Sequence, residues 1–113
     1  MKNKFKPAVH FPPPKGWAND PNGMFYANGK YHFFYQHRPN SCTFPRNRSE
    51  YKMHWGHAVS PDMIHWEETD IALFPDKRGM MYSGSAIADE KNLLGLQDGR
   101  LPTVLLFYTA TEP

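Results

Sequence analysis

Asp20 is the residue whose surroundings most clearly suggest chemistry. It is the only carboxylate in the stretch GWANDPNGMFYANGKYHFFYQH, residues 16–37, and it stands between Asn19 and Pro21. A proline restricts the residue before it to extended conformations, so this carboxylate is held rigidly. A nucleophile that attacks a substrate carbon in line needs such a fixed position. The same residue types also form Asx-turns, in which the side chain only caps nearby backbone groups. Spacing alone favours the turn, and both interpretations stay open at this point.

Three tryptophans indicate what a site around Asp20 would bind. Trp17, Trp55 and Trp66 each have polar neighbours in the sequence. Sugars present apolar C–H faces and hydroxyl rims, so a pocket of aromatic rings with Asp, Asn and Gln side chains suits them. For any single tryptophan, however, burial in a core is the more common fate. The pattern favours a carbohydrate ligand but does not establish one.

The histidines raise the question of a metal site. His54 and His57 are three residues apart, and such positions in a strand face opposite sides, so the two would not converge on one ion. His32 and His65 have no Cys or carboxylate at the spacing of metal ligands. No phosphate-binding glycine loop, Ser-His-Asp arrangement or Cys-His pair is recognisable. We therefore predict no metal site and no cofactor.

The composition excludes several classes of function. The chain has 113 residues and a formal net charge of +2, and its basic residues are spread out, so we expect no nucleic-acid partner. No segment is apolar over the length of a membrane span, and no apolar run follows the initial MKNKFK, so we expect neither a membrane partner nor a signal peptide. The single cysteine, Cys42, cannot form an internal disulfide. These observations predict a cytoplasmic protein.

The elements that position these residues are predicted to be strands. The chain holds 11 Pro, 8 Gly, 8 Phe, 6 Tyr and 3 Trp, and short aromatic segments separated by Gly, Pro and Asn are typical of all-β proteins. Residues 1–15 are predicted to form an N-terminal arm. Asn28-Gly29 predicts a tight hairpin turn. The expected strands are 24–26, 30–36, 53–60 and 64–68 in a first group, and 80–89 and 103–110 in a second.

The strand spacing suggests a β-propeller. Four strands in about 45 residues match the size of one propeller blade. We predict a first blade at about 22–70 and the start of a second at about 80–109, in a partial propeller domain of residues 16–113. Small residues at 83–86 suit an inner strand, because the inner strands of adjacent blades converge. One and a half blades would leave open sheet edges, so the chain is expected to be part of a larger domain.

Four sequence blocks, taken together, resemble glycoside hydrolase family 32, which contains invertases, sucrose-6-phosphate hydrolases, levanases and inulinases. The blocks are HFPPPKGWANDPNG, YHFFYQHRPN, HWGHAVSPDMIHWEETDIALFPD and MYSGSAIAD, in the family's order, and the resemblance as a whole runs from about His10 to Thr109. Four ordered blocks are far more specific than any one of them. The resemblance implies a five-bladed β-propeller followed by a β-sandwich, with the active site in the funnel at the propeller axis.

The resemblance also implies roles for individual residues. Asp20 matches the family's nucleophile. The positions that match the pocket for the terminal fructose are Trp17, Asn19, Gln36, Trp55, Tyr82 and Ser83. Tyr82 stands where the family has Phe and adds a hydroxyl, and Ala18 stands where Met or Leu is common. The implied reaction is retaining hydrolysis at a fructosyl C2, with sucrose, sucrose-6-phosphate or a fructan as the substrate.

The sequence departs from the family in one important respect. The family's acid/base lies in a Glu-Cys motif, and an Arg-Asp-Pro motif holds sugar hydroxyls, but neither occurs in these 113 residues. The five glutamates lack the right context: Glu50, Glu67, Glu68, Glu90 and Glu112. We therefore expect the N-terminal piece of a longer enzyme, inactive by itself. A non-catalytic fructoside-binding module and a small structural β protein are the alternatives.

Overall fold

The computed structural model describes residues 10–43, 46 and 52–111, and within these ranges every regular element is a strand. The strands are β1 (Trp17–Ala27), β2 (Lys30–Arg38), β3 (His54–Ser60), β4 (Glu67–Glu68), β5 (Met80–Asp89) and β6 (Thr103–Thr111). All pairs are antiparallel, in a four-stranded sheet of order β1-β2-β3-β4 and a two-stranded sheet β5-β6. The all-β prediction is confirmed. No helix in the described ranges is long and apolar enough to cross a membrane.

The β1–β2 hairpin forms as its sequence predicts. Asn28 and Gly29 have φ angles of 52° and 75°, and Ala27 pairs with Lys30 across the turn. Two successive positive φ angles give a turn whose twist matches that of the flanking strands, and Asn-Gly is the dipeptide that adopts it most readily.

The first strand is longer than predicted. We expected a strand only at 24–26, but β1 begins at Trp17, so Asp20 and Pro21 lie inside it and not in a corner before it. Two register shifts, between Ala18 and Pro21 and between Asn22 and Phe25, interrupt its pairing with β2. Proline is tolerated there because β1 is at the edge of its sheet and the irregularities release ladder hydrogen bonds.

The fourth strand is shorter than predicted. We expected a strand at 64–68, but β4 contains only Glu67–Glu68. One Asp62 carboxylate oxygen accepts hydrogen bonds from the backbone N–H groups of Ile64 and His65, at 2.9 and 2.8 Å. A side chain that captures backbone donors in this way competes with strand pairing. The turn that follows β3 therefore extends to residue 65.

The core lies between the two sheets. Its buried centre is Phe34, Trp55 and Met81, from β2, β3 and β5. Strands β1 and β5 come close enough that a Cβ added to Gly23 would lie 2.8 Å from Ala86 Cβ. The small residues predicted for an inner strand therefore allow the two sheets to approach each other.

The opposite face of the four-stranded sheet is covered by the N-terminal arm. The Phe11 ring lies 5.3 Å from both Phe33 and Tyr35 and 6.4 Å from Trp66, centroid to centroid. Both faces of β2 are thus packed, which explains why its sequence is apolar on both sides. The arm's first nine residues lie outside the described ranges.

Candidate active site

Asp20 lies in an open cleft of about 360 Å³ where strands from both sheets converge. The lining residues are Asn19, Asp20, Gln36, Met53, Tyr82, Ser83 and Thr109. They come from the start of β1, the end of β2, the segment before β3, the first half of β5 and the end of β6. The antiparallel meander produces this arrangement, because the start of β1, the end of β2 and the start of β3 meet at one end of the sheet.

The Asp20 carboxylate is exposed to the cleft and is contacted by one hydroxyl. Ser83 Oγ donates a hydrogen bond to Asp20 Oδ2 at 3.2 Å, across 63 positions of sequence. This donor fixes the direction of the carboxylate in the cleft. The irregular pairing of β1 around Pro21 releases this part of the strand from the ladder, so the carboxylate is accessible while its backbone stays anchored.

Trp17 supports the cleft from one side. Its indole N–H donates to Asn19 Oδ1 at 2.9 Å, and its carbonyl lies 2.9 Å from His37 Nδ1. Trp17 is half-buried and does not line the cleft, whereas Asn19 does. In this structure Trp17 therefore orients Asn19.

Gln36 forms part of the cleft floor. It is only 3% exposed, and its Nε2 donates to the Met81 carbonyl at 3.0 Å. This hydrogen bond connects β2 to β5 and fixes the amide under the cleft.

Trp55 does not lie where we expected it. We predicted that it would line the sugar pocket, but it has no exposed surface and packs in the core with Phe34 and Met81. Its indole N–H donates to the Tyr82 carbonyl at 3.0 Å. The large ring fits the gap between the sheets, so Trp55 holds the strand that carries Tyr82 and Ser83.

A β-bulge in β5 turns two consecutive side chains toward the cleft. Tyr82 pairs with Thr109 and Gly84 with Tyr108, which leaves Ser83 as the extra residue. Consecutive residues of a regular strand face opposite sides, and a bulge removes that alternation. Tyr82 and Ser83 can therefore both line the cleft.

Sequence reasoning missed Met53 and Thr109, and it gave Asn22 no role in the site. Met53 and Thr109 line the cleft only because distant segments pair, and the predicted pairing of 80–89 with 103–110 was the one signal that could have indicated Thr109. Asn22 is 4% exposed, and its Nδ2 has no hydrogen-bond partner in the described part of the chain. An unpaired buried amide is costly, which is typical of a functional region.

Asp20 is the one carboxylate among the residues that line this cleft. Glu67 and Glu68 lie on β4, the strand farthest from β1 in the sheet. The Glu68 carboxylate accepts a short hydrogen bond from the Tyr35 hydroxyl, which together with burial raises the Tyr35 pKa well above its usual value. Among the described residues, the cleft therefore holds one carboxylate, Asp20, without a second carboxyl group beside it.

Two larger clefts, of about 450 and 520 Å³, lie elsewhere. The second contains His32 and His57, whose Nδ1 and Nε2 atoms are 3.0 Å apart. Burial lowers the pKa of His57 to about 4, with a contribution from nearby His32. In the described ranges, no three His, Cys, Asp or Glu side chains are grouped as metal ligands would be. Asp20 makes the smaller cleft the better candidate for chemistry.

Comparisons with known proteins identify the family of the chain. Residues 10–113 match the glycosyl hydrolases family 32 N-terminal domain. The chain is 44% identical to a levanase of Bacillus subtilis over 105 residues, covering 93% of the chain and 15% of the levanase. It is 40% identical to an invertase of Schizosaccharomyces pombe over 112 residues, covering 92% of the chain and 18% of the invertase.

Solved structures agree as well. A fructofuranosidase of Schwanniomyces occidentalis complexed with fructosylnystose superposes with a TM-score of 0.78 at 34% identity, over 95% of this chain and 21% of that one. An exo-inulinase of Aspergillus awamori gives a TM-score of 0.65 at 41% identity, over 81% of this chain and 18% of that one. The chain thus spans about a fifth or less of these relatives. The resemblance of the four sequence blocks is confirmed, and the chain belongs to glycoside hydrolase family 32.

Proposed function

We propose that this chain provides the nucleophile and part of the fructose pocket of a retaining β-fructofuranosidase. The observation that carries the proposal is the Asp20 carboxylate, which is exposed to a cleft of small-molecule size and accepts a hydrogen bond from Ser83. Membership of a family whose named members include levanase and invertase supports terminal β-D-fructofuranosides as the substrate class.

The chemistry follows from the position of the carboxylate. Asp20 attacks the anomeric C2, the bond to the leaving oxygen breaks, and an acid protonates that oxygen. Water then attacks C2 from the face that the leaving group left and gives its proton to the conjugate base. The bond from C2 to the Asp20 oxygen breaks, which releases fructose and restores Asp20. In retaining glycosidases the acid/base lies roughly 5–5.5 Å from the nucleophile. Because no second carboxylate lines the cleft in the described residues, the acid must come from chain beyond them.

Fructose release tests the proposal. The complete gene product should release fructose from sucrose or levan, and Asp20→Asn should abolish the release. Asp98→Asn, an equivalent change at an exposed carboxylate outside the cleft, should leave it intact. The 113-residue chain by itself should release none, since losing the acid/base costs about 10²- to 10⁴-fold. Full activity of the Asp20→Asn variant would refute the assignment.

A trapped intermediate gives a second test. After rapid acid quenching during turnover, the peptide that contains Asp20 should carry one fructosyl unit by mass spectrometry. The corresponding peptide from the Asp20→Asn variant should carry none. A fructosyl unit on any other carboxylate would place the nucleophile elsewhere.

The alternative is a fructoside-binding module without catalysis, and the single carboxylate of the described cleft is what favours it. Saturable binding of fructose by the complete gene product, with no release from sucrose, levan or sucrose-6-phosphate, would support this alternative. If the product is active, the relative rates on these three substrates will show which class it prefers.

A further inference from the structure

Two hydroxyl groups on neighbouring strands face the Asp20 cleft, and one of them, on Thr109, was not among the predicted site residues. Tyr82 and Thr109 are paired across β5 and β6, and both line the cleft. The Trp55 indole holds the backbone of Tyr82 through its carbonyl, at 3.0 Å. The Tyr82 ring therefore belongs to a fixed part of the strand.

The other polar side chains of the cleft each make one hydrogen bond within the protein. The Ser83 hydroxyl donates to Asp20, Gln36 Nε2 donates to the Met81 carbonyl, and Asn19 Oδ1 accepts from the Trp17 indole. The Tyr82 and Thr109 hydroxyls make no hydrogen bond to any residue that the structure describes. Both hydroxyls remain available to a ligand. When a ligand binds, they exchange hydrogen bonds to water for hydrogen bonds to the ligand's hydroxyls.

A ligand that covers the Tyr82 and Thr109 hydroxyls must replace the hydrogen bonds that these hydroxyls make to water. A hydroxyl that is buried without a partner is costly, whereas one that meets another hydroxyl is compensated. A site built to hydrogen-bond a substrate hydroxyl therefore rejects an analogue that lacks it.

We propose that Tyr82 and Thr109 form a hydroxyl pair that hydrogen-bonds the rim of the bound sugar ring and makes the site selective against deoxy analogues. The inference rests on the proposed function, because it takes the ligand to be a fructoside. It adds a polar contact by which this chain discriminates among sugars.

The test removes hydroxyl groups from the protein and, separately, from the sugar. Tyr82→Phe and Thr109→Val remove one hydroxyl each, and Tyr26→Phe, at the far end of the β1–β2 hairpin, is the matched control. Dissociation constants for sucrose and for sucrose analogues deoxygenated at one fructosyl position are measured by calorimetry. The complete gene product carries Asp20→Asn in every case, so that turnover does not interfere.

We expect Tyr82→Phe and Thr109→Val each to weaken sucrose binding about 3- to 10-fold. For each variant, that loss should disappear on the one deoxy analogue that lacks the partner hydroxyl. Tyr26→Phe should bind every sugar as the parent does. Unchanged binding by both variants, or an equal loss on every analogue, would overturn the inference.

The outcome also separates this inference from the proposed function. If the protein without Asp20→Asn releases fructose while both hydroxyl variants bind sucrose normally, the hydroxyl pair is refuted and the hydrolase stands. If no fructoside binds and no fructose is released, both are refuted. If Tyr82→Phe or Thr109→Val, made in the protein without Asp20→Asn, lowers kcat while sucrose binding stays unchanged, that result would also contradict a role in holding the sugar.

Discussion

The close approach of β1 and β5 makes Gly23→Ala the most informative single change. Gly23 has a φ angle of +54°, and its missing side chain leaves room for Ala86 and Phe34. An added Cβ would lie 2.8 Å from Ala86 Cβ and 3.1 Å from Phe34 Cδ2. Because Asp20 and Ser83 lie on the two strands that meet here, separating these strands also lengthens the hydrogen bond between them.

The expected cost has two parts. A residue with a Cβ in the left-handed region costs about 1–2 kcal/mol. Forcing an extra carbon into a packed contact costs about 1–3 kcal/mol more. Together they predict that Gly23→Ala lowers the free energy of unfolding by about 2–5 kcal/mol.

Gly29→Ala separates the two parts. Gly29 also has a positive φ, +75°, but nothing lies within 4 Å of an added Cβ, so only the backbone cost applies. Urea unfolding monitored by tryptophan fluorescence should show Gly23→Ala to be less stable than Gly29→Ala by about 1–3 kcal/mol. Adding Ala86→Gly to Gly23→Ala should recover part of that difference. Equal losses for the two single variants, or no recovery in the double variant, would refute a tight contact between β1 and β5.

Three other changes have defined outcomes. Ser83→Ala removes the donor to Asp20, and steady-state kinetics should show kcat reduced about 3- to 10-fold with KM nearly unchanged; an unchanged kcat would make the hydrogen bond dispensable. Trp55→Phe leaves the Tyr82 carbonyl without its donor and should lower the free energy of unfolding by about 1–3 kcal/mol in urea; an unchanged free energy of unfolding would make this hydrogen bond dispensable. Burial lowers the pKa of His57 to about 4 from 6.5, so the unfolded chain binds a proton first and stability falls as pH drops through this window. The free energy of unfolding should fall by about 1–2 kcal/mol as the pH drops from 7 to 4, a value that is reduced because the His57 ring is partly exposed. The urea midpoint of His57→Gln should depend less on pH over this range than that of the parent protein; an equal pH dependence would contradict this.

Local sequence predicted the elements that depend on nearby residues. The Asn28-Gly29 turn forms as predicted, and the strands β2, β3, β5 and β6 lie within two residues of their predicted bounds, because turn chemistry and alternation act over a few positions. The start of β1 was predicted at residue 24, seven residues too late. Asp-Pro and Asn-Gly read as turns, but pairing with β2 and packing against β5 hold this segment extended.

The composition of the cleft was harder to predict than the strands. Asp20, Asn19, Gln36, Tyr82 and Ser83 all reach it, and the resemblance to the family is what indicated them. That resemblance also indicated Trp55, which the structure buries. Whether a large aromatic residue lines a cleft or fills the core beneath it depends on how far apart two sheets lie. A pattern of neighbouring residue types does not contain that distance.

The sequence by itself determined that the chain is all-β, that its four blocks place it in a family of fructoside hydrolases, and that Asp20 is its candidate nucleophile. These properties follow from short-range patterns and from motifs that are read in order. Only the tertiary structure decided that Ser83 contacts Asp20, that Thr109 joins the cleft and that Trp55 supports it from below. Each of these contacts joins strands that are far apart in sequence. The distance between the two sheets depends on Gly23 and Ala86, which are small enough to let the sheets meet.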